Sequence, residues 1–211
     1  MHWFFGFFLV SGFCSLLYQI VWLRLAMASF GVTTPIVSLV LSLFMAGLGF
    51  GSWWSGRHVK RFEDSPAAHP LRLYGLVEAL IGTSALVAPW TMRLGRSMLE
   101  SIGGGLGTGG YYALSAGWLA LAILPWTTCM GATFPFAMAA ICKHSARGSS
   151  SSFSFLYVAN LVGALLGTLV SAFVMIELLG FRGTLHVALA LNLTLALGAL
   201  LLSLTRGMRA H

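Results

Sequence analysis

The stretch WFFGFFLVSGFCSLLYQIVWLRLAMAS, residues 3–29, decides the fold class, because it is apolar nearly throughout and carries a single charge, Arg24. A helix rises about 1.5 Å per residue, so this run is longer than the ~30 Å hydrocarbon core of a bilayer. It has no basic segment before it and is too long for the apolar part of a secretory signal. We therefore predict a retained membrane-spanning helix.

Similar apolar runs recur along the 211 residues, of which 58% are hydrophobic and 8% are charged. A soluble domain carries about 25% charged residues, so this composition indicates a membrane protein. The predicted fold is all-α, with one transmembrane domain over residues 1–211 that forms a polytopic bundle of six helices. The predicted spans are about 3–29, 36–55, 71–90, 111–142, 153–176 and 184–204. Residues 91–101 resemble a short amphipathic helix on the membrane surface.

The basic residues set the predicted orientation. A net charge of +7 would suggest nucleic acid in a soluble protein, but here the basic residues lie in short loops beside apolar spans, so we expect no nucleic-acid partner. One side has three, Arg93, Arg96 and Arg182, and the other has eight. The positive-inside rule then predicts cytoplasmic termini and a multi-pass protein of the bacterial inner membrane. The eight are Arg57, Lys60, Arg61, Arg72, Lys143, Arg147, Arg206 and Arg209.

The fourth apolar region, 111–142, is too long for one straight span, since a helix of that length would measure ~48 Å. Its segment LPWTTCMGATFPF, residues 124–136, holds Pro125, Gly131, Thr133 and Pro135. We expect a kinked or broken helix here. A break at membrane depth survives where protein or a water-filled cavity satisfies the freed backbone groups, which makes the motif a candidate site. The alternative is a proline kink that only shapes packing.

Two spans carry small residues four positions apart. Gly47 and Gly51 lie in the second span, and Gly163 and Gly167 lie in the fifth. Such ladders allow helix backbones to approach closely, so we predict packing faces inside the bundle. Because the two spans hold equivalent places, the chain could consist of two inverted three-helix halves, as in many transporters.

Four polar residues within apolar spans are candidates for a site or a helix contact. Inserting a carboxylate at the centre of a membrane helix costs roughly 2.5–3.5 kcal/mol of free energy. Glu78 should therefore face inward, where a hydrogen bond to Asn160 would be possible. It is either a cation or proton site or a carboxyl that locks helices together. Asn192 is expected to join two helices. A lone His186 is weak support for a haem or pigment ligand.

The first span also carries a polar and aromatic cluster. Tyr18 and Trp22 are four residues apart and Gln19 is three from Trp22, so all three should share a helix face that points into the bundle. Arg24 points away from Gln19 and lies near the outer interface. We expect it to form an ion pair with Glu177, at the outer end of the fifth span.

Several segments together are similar to one family. The chain resembles the membrane module of the spermidine synthase-like bacterial proteins, also called fused major-facilitator/spermidine synthase proteins. In that family a soluble aminopropyltransferase-like domain commonly follows the last helix. The present sequence contains no strand–turn–helix unit with the glycine loop that binds S-adenosylmethionine. The segment GGGLGTGG (103–110) has a similar composition, but it follows no strand. The segments that carry the resemblance are SGFCSLLYQIVWLRL, FMAGLGFGSW, PLRLYGLVEALIG, MGATFPF, YVANLVGALLGTLVSAF and LLGFRGT.

These observations favour a non-catalytic membrane module, which would act as an anchor, scaffold or accessory subunit. Its partner would be a separate aminopropyltransferase-like protein or a larger membrane complex. The alternative is a transporter for a polyamine-like molecule or another metabolite, working as a dimer. We expect neither enzymatic activity nor a metal site. The sequence shows no paired carboxylates, no Ser-His-Asp set and no cluster of metal-ligand residues. No cofactor is predicted, although binding of a lipid, quinone or pigment remains an alternative. Membrane lipids are expected to surround the protein.

Overall fold

The computed structural model describes residues 2–59, 68–102, 107–142 and 150–207, and within these ranges the chain is helical and has no strand. The prediction of an all-α chain is therefore confirmed. A π-helical turn, Ser171–Met175, separates the last two helices. The helices are α1 (His2–Phe30), α2 (Thr34–Val59), α3 (Ala68–Ile102), α4 (Thr108–Cys142), α5 (Ser150–Val170) and α6 (Ile176–Gly207).

Five helical stretches of the described chain are long and apolar enough to cross a membrane. The fifth is 52 residues long, because α5 and α6 follow one another without a loop. Large apolar side chains remain exposed on the outside, for example Leu165, Phe173 and Leu201. Such a surface suits lipid rather than water, as in a multi-pass membrane protein. The stretches are Phe5–Phe30, Thr34–Val59, His69–Ile102, Thr108–Ile141 and Ser154–Thr205.

Three predictions about the helices differ from the structure. The fifth and sixth predicted spans lie in one helical stretch, Ser154–Thr205, so six separate spans are not seen in the described part of the chain. The predicted surface helix 91–101 is the continuation of α3, which runs through Pro89. The fourth region, predicted to be kinked or broken, is not broken: α4 is one α-helix with Pro125 and Pro135 inside it. Prolines are tolerated in membrane helices where nearby side chains satisfy the freed backbone groups.

The main departure from α-helical geometry lies between α5 and α6. The π-helical turn comes first, and Gly180 follows with φ 66° and ψ 180°. This combination belongs to a region that essentially only glycine occupies. The backbone therefore leaves the helical path at Gly180.

Three helix pairs build the bundle: α1 with α5, α2 with α4, and α3 with α6, and α3 also packs against α4. The larger of two buried clusters centres on Tyr18 and Trp22 of α1 and includes Phe44 of α2. The smaller cluster surrounds Tyr74 of α3 and Phe136 of α4. Polar residues of α1 and α3 lie between these apolar clusters and form the candidate site.

Candidate functional site

A carboxyl group is buried between α1 and α3. Glu78 is 1% exposed, and its Oε1 accepts a hydrogen bond of 2.7 Å from the Ser11 hydroxyl. The hydroxyl of Tyr74, one helical turn before Glu78, lies beside this pair without a hydrogen bond of standard geometry. Because an unpaired polar group in an apolar interior is costly, the Ser11–Glu78 bond stabilises the contact between the two helices.

Helix periodicity places these groups on facing surfaces. Ser11 and Tyr18 are seven residues apart, two turns of α1, while Tyr74 and Glu78 are four apart on α3. Further towards the C-terminal ends of both helices, the Tyr18 hydroxyl lies near Ser84 of α3. The interface between α1 and α3 is thus apolar with polar groups at two levels, Ser11 with Glu78 and Tyr18 with Ser84.

A pocket of about 380 Å³ opens next to this interface and is lined by residues from α1 to α5. It brings together three residues that the sequence analysis selected, Gly131, Thr133 and Asn160. Ser11 and Tyr74 contribute to the same wall. Glu78 does not line the pocket, because Ser11 lies between the carboxyl and this space. The lining can therefore offer hydroxyl and amide groups to a small ligand, with the carboxyl behind them.

Asn160 has a different neighbour from the one predicted. Glu78 is hydrogen-bonded to Ser11 rather than to Asn160. The backbone and side chain of Asn160 lie against Gly12 of α1, so closely that a Cβ at Gly12 would overlap the Asn160 carbonyl oxygen. Asn160 therefore lies at the packing face between α5 and α1 as well as on the pocket wall.

The proline motif of α4 contributes to the site through its small residues. Gly131 packs against the Leu48 carbonyl of α2, and the Thr133 hydroxyl donates to the Met130 carbonyl oxygen at 2.7 Å. Pro125 is exposed on the outer surface and Pro135 is half-buried. Neither proline lines the pocket.

Tyr18, Gln19 and Trp22 are all buried, on the inner side of α1. The rings of Tyr18 and Trp22 are 5.1 Å apart. Tyr18 Oη, Gln19 Oε1 and Trp22 Nε1 have no hydrogen-bond partner among the described residues. None of the three lines the pocket, so this face of α1 belongs to the packed interior.

Asn192 is fully buried on α6 and faces α3, where its Cβ lies close to Gly82. Its amide nitrogen and oxygen find no partner in the described part of the chain. Its position is the helix contact that the sequence analysis expected. His186 is exposed at the opposite end of α6 from the chain terminus.

The predicted ion pair between Arg24 and Glu177 is not formed. The described residues contain one ion pair, Arg96–Glu100 on α3, at 2.7 Å. Glu177 is exposed and follows the π-helical turn. A π turn inserts an extra residue and so rotates the next part of the helix by about 100°, a change that no sequence spacing would have indicated.

The predicted packing glycines lie at backbone contacts between paired helices. A Cβ at Gly47 would overlap the Thr127 side chain of α4, and one at Gly51 would overlap the Thr128 carbonyl oxygen. Gly163 and Gly167 of α5 lie equally close to the backbone of α1, at Leu9 and Phe13. Such contacts leave no room for any side chain and hold each pair in one register.

Sequence reasoning missed two residues of the site, Ser11 and Tyr74. The signal was present, because Ser11 lies two turns before Tyr18 and Tyr74 one turn before Glu78 on the same faces. Serine and tyrosine are common in membrane helices, however, and nothing in their spacing distinguishes a partner of Glu78 from an ordinary packing residue.

Within the described ranges, no three His, Cys, Asp or Glu side chains come together as metal ligands would. No family model, no curated protein and no solved structure matches this chain.

Proposed function

We propose that this chain is a non-catalytic integral membrane module that anchors, scaffolds or assists a partner protein, as the resemblance to the membrane part of spermidine synthase-like proteins implies. The Ser11–Glu78 contact carries this proposal. A carboxyl that acted on a substrate would face a cavity, whereas Glu78 is 1% exposed and is occupied by a helix partner. Its position favours a role in holding α1 to α3.

Close backbone packing supports the same function. Gly51, Gly131 and Gly163 each lie against the backbone of a neighbouring helix. Helices held this way resist the sliding and opening that transport requires, but they provide a fixed platform for another protein. The partner would be a soluble aminopropyltransferase-like protein or a larger complex of the bacterial inner membrane.

We further propose six crossings with both termini in the cytoplasm. Parallel α1 and α5 are supported by contacts whose residue numbers rise together, since Leu9 meets Gly163 and Phe13 meets Gly167. The contacts of α3 with α6 run the opposite way. There Gly75 meets Ala196, whereas Gly82, further along α3, meets Leu189.

Helices α1 and α3 also run parallel, because Ser11 contacts Glu78 and Tyr18, later on α1, lies near Ser84, later on α3. If α5 runs with α3 and α6 runs against it, the chain turns back near Gly180. The helical stretch Ser154–Thr205 would then cross the membrane twice, and the loop charges would orient it.

Co-purification from the native host tests the principal proposal. The tagged chain, extracted in mild detergent, should retain a partner at a fixed stoichiometry close to one copy per chain. The Glu78→Gln variant serves as a matched control and should retain the same partner, because Glu78 acts inside the bundle. A chain that purifies alone from mild detergent would contradict the anchoring role.

The pocket supports a second candidate function, a transporter for a small polyamine-like or other metabolite, working as a dimer. Its mostly apolar wall includes the polar groups of Thr133 and Asn160, in a volume of about 380 Å³ that could hold a small organic molecule. Proteoliposomes that contain the chain would then take up a labelled polyamine, and Asn160→Ala would lower the uptake. Thr83→Ala, on the exposed face of α3, is the control. Absence of uptake, or equal uptake by both variants, would reject transport.

A further inference from the structure

A second pocket of about 460 Å³ lies at the other end of the bundle from the Glu78 contact. It forms where the end of α1, the second half of α3 and the start of α6 meet. We refer to it as the interfacial pocket. Its lining comprises Leu25, Ser29, Ala85, Leu86, Pro89, Met92, Arg93, Phe181, Arg182, Leu185 and His186.

Three cationic or hydrogen-donating side chains converge on this pocket from two helices. Arg93 comes from α3, while Arg182 and His186 are four residues apart on α6 and therefore share a face. None of the three forms an ion pair with an acidic side chain in the described part of the chain. Arg93 uses its Nε for the Pro89 carbonyl at 3.3 Å, which leaves its terminal guanidinium groups available.

Among the other arginines of the described helices, Arg24 and Arg72 likewise form no ion pair, whereas two have partners. Arg96 is paired with Glu100, and Arg57 lies 4.2 Å from the Trp53 ring centre in a cation–π contact. Arg93 and Arg182 are exposed and line the same pocket, so together they give it a positive potential that attracts an anion. Arginine's planar fork of donors suits a phosphate group, to which it forms charge-assisted hydrogen bonds.

The rest of the wall is apolar, which restricts the kind of anion. Leu25, Met92, Phe181 and Leu185 line the same pocket as the charged groups. Leu86 lies on both the lining and the outer surface, where it is 54% exposed. An acyl chain could therefore pass from the bilayer into the pocket beside Leu86, whereas a free inorganic ion would leave the apolar wall without contacts.

We propose that the interfacial pocket binds an anionic phospholipid, with its phosphate between Arg93 and Arg182 and one acyl chain along the apolar wall. Ser29 and His186 supply further hydrogen bonds to the headgroup. Basic pockets between membrane helices recognise lipid headgroups through this combination of charge and apolar surface. The site does not depend on the proposed partner and would exist with either candidate function.

Native mass spectrometry of the full chain, purified in detergent, tests this site. The probes are phosphatidylglycerol and phosphatidylcholine with identical acyl chains. The wild-type chain should bind phosphatidylglycerol roughly tenfold more tightly than phosphatidylcholine, and the R93Q/R182Q variant should lose this preference. R96Q removes one charge from the same helix outside the pocket, so it should behave as the wild type.

A further variant and a competitor distinguish the remaining outcomes. Leu86→Trp fills the acyl entry without a change in charge, and it should weaken phosphatidylglycerol binding several-fold. It also replaces the double variant if that variant fails to fold. Equal loss in R96Q and R93Q/R182Q would reduce the effect to general surface charge and overturn the proposal. If inorganic phosphate binds alone and displaces the lipid, the site takes a soluble anion and the lipid assignment is wrong.

Discussion

The hydroxyl of Ser11 and the carboxyl of Glu78 show how one polar contact can hold an apolar interface. Between two helices in a bilayer there is no water to expel, so packing and hydrogen bonds provide the association energy. A single donor at 2.7 Å satisfies part of a carboxyl that would otherwise be costly to bury. The Ser11–Glu78 hydrogen bond therefore stabilises the α1–α3 pair and fixes its register.

Substitution of Ser11 tests this contact. Ser11→Ala leaves the buried Glu78 oxygen without its donor, so we expect the free energy of unfolding in detergent to fall by about 1–3 kcal/mol. Ser15→Ala is the matched control, because the Ser15 hydroxyl bonds only the backbone carbonyl of its own helix, at 2.9 Å. Denaturant titration followed by tryptophan fluorescence measures both. Equal effects of the two variants would argue against a special role for the Ser11–Glu78 bond.

At the scale of the element, small residues determine which helices can pair. Gly51 of α2 is buried against the Thr128 carbonyl of α4, while Gly49, two residues earlier, is exposed and has open space around its Cα. The two glycines belong to the same helix and differ in their surroundings alone. Helix propensity disfavours both by roughly 1 kcal/mol relative to alanine, so only packing explains a benefit at Gly51.

The pair Gly51→Ala and Gly49→Ala separates these effects. At Gly51 the new methyl group overlaps a backbone oxygen, so α2 and α4 must move apart, and we expect a loss of about 1–3 kcal/mol in unfolding free energy. At Gly49 we expect no loss and a gain of up to about 1 kcal/mol. Thermal unfolding in the same detergent provides the comparison. A loss of stability at Gly49 similar to that at Gly51 would mean that the close contact is not the cause.

The turn between α5 and α6 depends on a different property of glycine. Gly180 has φ 66° and ψ 180°, and no side chain or backbone lies within 4 Å of a Cβ built there. Gly180→Ala should therefore destabilise the protein by about 1–3 kcal/mol through backbone strain alone. Gly117→Ala, also in open space but within α4, should be neutral or stabilising. If both variants match the wild type in a thermal scan, the left-handed conformation at Gly180 is not required.

At the scale of the whole molecule, the helix pairs follow a pattern that suits two related halves. Suppose that α1, α2 and α3 of the first half correspond to α4, α5 and α6 of the second. The α1–α5 pair then corresponds to the α4–α2 pair, and the α3–α6 pair corresponds to itself. The glycine contacts follow the same rule, since they lie on the second helix of each half, at Gly51 and Gly163, and on the first helix of each half, at Gly12 and Gly131. The α3–α4 contact departs from this pattern, because its counterpart α6–α1 is much smaller. The three main pairs therefore support inverted halves, related by an axis in the membrane plane, and the α3–α4 contact does not.

Reporter fusions test the proposed orientation. A fluorescent protein that folds only in the cytoplasm should be bright after residue 207 and after residue 59, and dark after residue 32. Alkaline phosphatase, which is active only outside the cytoplasm, should give the reverse pattern. The reason is the excess of basic residues in the loops on the first side. A bright fluorescent fusion at residue 32 together with a dark one at residue 207 would reverse the orientation, and opposite signals at residues 2 and 207 would require an odd number of crossings.

The amino-acid sequence alone was enough to predict the helical class, the apolar outer surface and the inward direction of Tyr18, Trp22 and Glu78. These properties follow from composition and from the periodicity of a single helix, which are local. It also located the glycines at which backbones meet, because close approach requires the absence of a side chain.

Only the tertiary structure decided which helices face one another. It joined Glu78 to Ser11 rather than Asn160, kept α4 continuous through Pro125, separated Arg24 from Glu177, and brought Arg93 and Arg182 to one pocket. Periodicity tells which way a side chain points along its own helix, but the identity of the opposite surface depends on distant parts of the chain. That information is produced by the packing of all the helices together.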